Sequence, residues 1–233
     1  MPKFKFNAVF GIKPGIDPDE TYELWRGEHA DYAKNLTLPE VNKYNINRVV
    51  HRFDDVSAEY VWGFAEFWFD DMESAKRAVG RVQGAKPDDF HTKHITPAKR
   101  FIAREEEIEL QAKAMTRGSE KTVKLVSIFS LKPGADAGKA YRVWREKHTA
   151  WAKDKLLPEA KRYTINEVMH KYPPAGGTVA DFDIFGYEMA WFDDLESALR
   201  AAGRLRNARP DEFLTEFTKA HKMVVIEEEN IRL

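Results

Sequence analysis

At 233 residues the chain is long enough for one large domain or two small ones, and with 12% aromatic residues it can fill a substantial apolar interior. Its 37 basic and 38 acidic residues leave a net charge of −1, which gives no electrostatic ground for nucleic acid or an anionic membrane surface as partner. There is no cysteine, so disulfides, thiolate metal sites and a cysteine nucleophile are excluded.

The opening segment MPKFKFNAVFGI alternates and is rich in strand formers, which predicts a first strand and not the long apolar core of a signal peptide. No apolar run approaches the ~18 residues of a membrane span, so a soluble cytoplasmic protein is expected. Pro14-Gly15 turns the chain, and Asp17 before Pro18 starts a helix that runs to about Asn35. YNINRVVH (Tyr44 to His51) and YVWGFAEFWF (Tyr60 to Phe69) read as a hairpin of two strands joined by a polar turn. Asp70-Asp71 caps a second helix through about Val82, and AKRFIARE (Ala98 to Glu105) supplies a fourth strand.

The same order then recurs. Lys13-Pro14-Gly15 returns as Lys132-Pro133-Gly134, Trp25 and His29 as Trp144 and His148, and KYNINRVVH as RYTINEVMH (Arg162 to His170). WFDDMESAKRAVGR (Trp68 to Arg81) returns as WFDDLESALRAAGR (Trp191 to Arg204), after an insertion around YPPAGG in the second copy. Such a unit is too long for a solenoid repeat, so each copy reads as a small domain: residues 1–108 and 122–233, joined by a polar linker at 109–121.

The order β-α-β-β-α-β within each copy is the ferredoxin-like arrangement of the α+β class, with both helices on one face of an antiparallel sheet. The other face carries Trp and Phe and needs a cover. Two units packed sheet to sheet provide it, as an intramolecular pseudo-dimer. A further homodimer stays open.

The pattern KPG…W(R)xxHA…LP…Y…N…H…WFDDxESA resembles the EthD-like family of the dimeric α/β-barrel superfamily, here as two domains in tandem. The resemblance implies a dimeric α/β-barrel made within one chain, with an apolar pocket for a small, often aromatic molecule beside one or two polar residues. Relatives include cofactor-free decarboxylases, dehydratases, cyclases, isomerases and monooxygenases, and some bind heme, so the fold does not select the chemistry. The leading expectation is a cofactor-independent lyase, a decarboxylase or dehydratase, for a small aromatic or phenolic acid. The alternatives are a non-catalytic carrier of a hydrophobic metabolite and a heme protein with one histidine as axial ligand.

Four histidines are the candidate acid–base groups. Trp25 and His29, four apart on a helix, share a face, as do Trp144 and His148; the stripe is either packing against the sheet or the wall of a pocket. His51 and His170 end the second strand of each copy, and short hairpin turns would set them opposite Gly63 and Gly186, with room beside the ring. The same register sets Arg48 opposite Glu66, either orienting a substrate or forming a structural ion pair. Asn47 and Asn166, on the strand face of those histidines, are candidate oxyanion donors. Tyr44 and Tyr163 point to the opposite face, as phenolic acids or core. His91 and His94 are expected in a solvated loop, and no metal site is expected.

Overall fold

The helices begin where side chains satisfy the first free backbone N–H groups. Asp17 accepts from Asp19 and Glu20 ahead of α1 (Pro18–Leu24), Asp71 from Ser74 ahead of α3 (Met72–Gly84), and Asp194 from Ser197 ahead of α6 (Leu195–Asn207). The computed structural model describes residues 3–53, 56–58, 60–110, 122–173 and 183–233. Most of the expected linker and of the YPPAGG insertion lies outside these residues.

The helix expected from Asp17 to Asn35 is longer and interrupted. After α1 a wide π-helical turn, Trp25–His29, leads into α2 (Ala30–Thr37), with Gly27 in non-helical conformation. The second half repeats this as α4 (Ala137–Val143), a π turn at Trp144–His148 and α5 (Thr149–Leu156).

Eight antiparallel strands close a barrel: β1 (Lys3–Phe10), β2 (Lys43–Arg52), β3 (Gly63–Phe69), β4 (Lys99–Ile108), β5 (Thr122–Leu131), β6 (Arg162–Tyr172), β7 (Gly186–Phe192) and β8 (Thr218–Ile231). Around the barrel the order is β1-β3-β2-β8-β5-β7-β6-β4. The halves are therefore not two separate stacked sheets. They join by strand pairing, β2 with β8 and β4 with β6, which satisfies the backbone edges that two open sheets would leave free.

Strand alternation divides the apolar residues into three cores. Phe6, Phe10, Tyr44, Ala65 and Phe67 face α1–α3, and Leu125, Phe129, Tyr163 and Ala190 face α4–α6. Val9, Val49, Phe64, Phe101, Val126, Tyr187, Met189 and Val224 fill the barrel interior. Among the described residues no helix is long and apolar enough to cross a membrane.

The hairpin register corrects two expectations. Arg48, not His51, stands opposite Gly63, and Glu167, not His170, opposite Gly186. The connection between the strands is longer than a tight turn, with Val56 and Val61 packed into the barrel interior and Trp62 on the helix side, where its carbonyl accepts from Val49 N–H at 3.0 Å; the register is therefore displaced by three residues along β2. Glu66 consequently faces Asn45 and has no contact with Arg48, which lies outside the barrel against Asp19 at 3.0 Å and over the Tyr22 ring. A bulge between Val49 and His51 breaks the alternation that would have kept His51 on the face of Asn47.

Candidate functional site

The helix-side layer of the first half carries the Trp25–His29 stripe. Trp25 is wholly buried, edge-on to Phe10 and stacked with Phe90. Gly63 makes this possible, since a Cβ there would come within 2.8 Å of Trp25 Cη2; at Gly186 the same clash with Trp144 would be at 2.5 Å. Room beside these glycines thus serves the tryptophans and not His51 or His170.

One turn along, His29 stacks on Phe90 at 4.2 Å and its Nδ1 lies 2.6 Å from Asp88. The other oxygen of Asp88 holds His91 Nδ1 at 2.7 Å. The segment Phe90–His94, expected as a solvated loop, is a π turn that tucks His91 against His29 and seats His94 on Thr21. Burial raises the pKa of Asp88 and the hydrogen bonds from His29 and His91 lower it, and the hydrogen bonds win: it is held well below the usual carboxylate range. An ionised carboxylate only accepts, so the Nδ1 of each imidazole carries a proton and each Nε2 is left for other partners. Burial, then the nearby His29, pull His91 down to about 4, so it is neutral at neutral pH.

These three residues are also the group that could hold a metal ion, with one ligand atom from each lying within 4.8 Å of the others. The structure has each Nδ1 at hydrogen-bond distance from Asp88 instead.

His29, His91, Ala65 and Arg100 line an inner cavity of about 40 Å³, among Phe10, Phe67 and Phe90. It shares Tyr32, Val82, His91, Ile95, Ala98 and Arg100 with an outer groove of about 380 Å³, the size of a small-molecule site. Arg100 is half-buried and makes no ion pair among the described residues; burial lowers its proton affinity.

The second half differs at the same place. Glu188 stands where the first half has Ala65, and it is buried. Trp144 Nε1 donates to its carboxylate at 2.6 Å, and His148 Nε2 lies 3.4 Å away, with Asp211 at 3.1 Å from His148 Nδ1. Burial alone would push His148 down, but Glu188 and Asp211 outweigh it and lift the imidazole to about 9. Leu214 and Met223 replace His91 and Arg100. Among the described residues Trp25 Nε1 is buried without a hydrogen-bond partner, unlike Trp144 Nε1, while the Tyr44 and Tyr163 hydroxyls both lack one.

The remaining candidates lie elsewhere. His51 packs on Phe53, and His170 is exposed beside Tyr172. Asn47 and Asn166 face the barrel interior, where Asn47 Nδ2 donates to Phe64 O at 2.9 Å and Asn166 Nδ2 to Thr164 at 3.1 Å. Glu66 is the centre of that interior. It bridges Lys5 at 3.0 Å and Lys124 at 2.8 Å, which also meet Glu105 and Glu228 respectively. Burial opposes ionisation, yet Lys124 and Lys5 hold Glu66 down at about 2. Pattern reading missed Lys5, Lys124, Asp88 and Glu188. The recurrence of Asp88 in AKPDDF as Asp211 in ARPDEF was the available signal for that pair.

A closed antiparallel barrel with helices outside it is the fold of the EthD-like, dimeric α/β-barrel proteins. Residues 13–89 match the EthD domain model. Among solved structures, a protein provisionally assigned as a chlorite dismutase is similar over 100% of this chain and 96% of its own, at TM-score 0.54 and 11% identity. A variant of the chlorite dismutase from Candidatus Nitrospira defluvii is similar over 96% of this chain and 91% of its own, at TM-score 0.51 and 8% identity. At such identities the likeness is one of fold. No curated protein sequence matches the chain.

Heme binding was tested against the two helix histidines, and neither fits. Both ring nitrogens of His148 face carboxylates, and the cavity beside His29, about 40 Å³, is far below the several hundred Å³ of a typical cofactor site.

Proposed function

We propose that the protein is a cofactor-independent enzyme acting on a small aromatic acid, a lyase removing CO2 or water, and that its working site is the first-half pocket. The observation behind this reading is the wall shared by groove and inner cavity. There an Asp88-bridged pair of imidazoles sits beside Arg100, a cation with no counter-ion among the described residues. Arg100 draws an anionic molecule into the groove. His91, neutral and with Nε2 unprotonated, takes a proton from the substrate, while Asp88 fixes the tautomer and stabilises the imidazolium that forms. His29, on the other oxygen of Asp88, completes the proton-handling group. Tyr32, Ile95 and Ala98 present the apolar wall for the ring. The halves themselves we read as tandem ferredoxin-like EthD-type units, 1–108 and 122–233.

The test is turnover on a panel of hydroxybenzoic and β-hydroxy aromatic acids, followed by CO2 release and by loss of water. His91→Ala and Asp88→Asn should lower kcat by roughly 10²–10⁴-fold, and Arg100→Met should raise KM about tenfold with kcat little changed. Turnover indifferent to both His29→Ala and His91→Ala overturns the mechanism. Tight binding of the panel without any turnover favours the carrier reading instead.

A further inference from the structure

The two halves answer the same local problem in different ways, and the difference identifies what the open half lacks. In the second half, the indole N–H of Trp144 and the Nε2 side of His148 converge on one carboxylate, that of Glu188. The Tyr163 hydroxyl is close enough to that carboxylate for its own ionisation to be suppressed, after burial, by Glu188. All four groups are buried. In the first half the same indole, imidazole and phenol are present as Trp25, His29 and Tyr44, on the same turns and strand. The carboxylate is missing because β3 carries Ala65 at the position of Glu188.

The consequence is an orphaned indole. Among the described residues Trp25 Nε1 has no hydrogen-bond partner although the side chain is wholly buried, whereas Trp144 Nε1 is met by Glu188; the Tyr44 and Tyr163 hydroxyls are unpartnered in both halves. A buried donor left unmet is costly, so it marks a partner that arrives from outside. The inner cavity beside Ala65 and His29 measures about 40 Å³. That is enough for a small polar head group and well below the several hundred Å³ of a whole small-molecule site.

We infer that this cavity takes the carboxylate of a ligand, held by Trp25 Nε1 and His29 in the place that Glu188 fills in the second half. The rest of the ligand extends past Ala65 and His91 into the outer groove. Glu188 is thus a built-in stand-in for the ligand, and the second half is a permanently occupied copy of the site. The inference deepens the function proposed above and rests on that reading for the choice of pocket, but not on turnover.

The experiment is a titration of the full chain with benzoate, with benzamide and benzyl alcohol as neutral controls, followed by the indole N–H resonances in ¹H–¹⁵N spectra. The Trp25 signal, assigned by its loss in Trp25→Phe, should move with benzoate and not with the controls. Trp25→Phe should weaken benzoate binding about tenfold. Ala65→Glu should abolish binding by supplying the carboxylate internally. Because that variant places a new charge in a core, Glu188→Ala is the companion. It should open the second site, so that acetate or benzoate now shifts the Trp144 indole as well. A Trp25 resonance unmoved by saturating benzoate overturns the inference, as does a folded Ala65→Glu protein that binds benzoate like the wild type. Benzoate binding at Trp25 in a protein that turns over no aromatic acid leaves this inference standing and removes the catalytic reading; turnover without any response at Trp25 does the opposite.

Discussion

The two halves place one glutamate differently by a single step along equivalent strands. The first half reads Ala65-Glu66 on β3, and the second reads Glu188-Met189 on β7. Successive residues of a strand point to opposite faces, so this one-place shift moves a carboxylate from the barrel interior to the helix side. Glu66 lies inside, where it bridges Lys5 and Lys124, and the helix-side layer above it keeps a cavity. Glu188 lies outside, where it closes the corresponding space between Trp144 and His148. Duplication supplied two equal sites, and the position of one side chain left an inner cavity in the first and filled it in the second, whose outer groove of about 440 Å³ beside Leu205, Leu214, His221 and Met223 persists.

The comparison is broken most forcefully at Glu66. Glu66→Met reproduces the second-half residue and leaves each lysine with one carboxylate in a dry interior. Removing one partner of a buried ion pair costs about 3–5 kcal/mol, and a loss of that size is expected in urea unfolding. Met189→Glu on the same background returns a carboxylate to the interior from the opposite side, and recovery of part of the loss would show that the barrel is satisfied from either half. No recovery would show that Glu66 acts through its local geometry alone.

The next effect is on the filled side and depends on pH. His148 is lifted to about 9 in the fold, against the ordinary value of 6.5. A raised imidazole stabilises the folded state in full below pH 6.5, and that contribution disappears as pH rises through about 9. Its size is on the order of 3 kcal/mol. Unfolding free energy measured between pH 6 and pH 10 should therefore fall in the wild type and stay much flatter in Glu188→Gln, where the main source of the lift is gone.

The sequence showed the repeat, the order of strands and helices, and the caps at Asp17, Asp71 and Asp194, because these depend on local patterns that recur in both copies. It paired Trp25 with His29 and Trp144 with His148 for the same reason. Register was not legible. Packing of Val56 and Val61 into the barrel interior and of Trp62 on the helix side is a tertiary event, and the longer connection that goes with it sets Arg48 away from Glu66 and His51 away from Gly63. The interior ions escaped notice because Lys5 and Lys124 sit in strands whose alternation looks like that of a half-wet sheet. Closing the barrel is what buries them. Asp88 escaped because its partners, His29 and His91, are brought to it from a helix and a turn that only the packing joins.

A smaller effect sharpens the likeness of the halves. Trp25 and Trp144 both depend on a missing Cβ, at Gly63 and Gly186. Alanine at either forces an indole ring aside, and overpacking of this kind costs about 1–3 kcal/mol. Gly186→Ala should cost more, since the Trp144 ring is pinned by Glu188 and cannot move without losing that hydrogen bond. The Trp25 ring has no such tether. Equal costs in thermal unfolding would argue that the tether contributes nothing to rigidity.

The smallest expected effect separates two arginines that look alike in composition. The sequence predicts Arg48 paired with Glu66, at a substrate or as a structural ion pair; it reaches instead to Asp19, whose side chain is 91% exposed, across the outer surface. An ion pair with one partner in water is worth little, so Arg48→Met should change stability by no more than about 0.5 kcal/mol and leave the KM of any aromatic acid unchanged. Arg100, at the wall of the groove and with no counter-ion among the described residues, should do the reverse, altering KM and not the fold. A KM shift in Arg48→Met equal to that in Arg100→Met would place the ligand's charge on the outer surface beside α1 and would count against the pocket beneath Ala65.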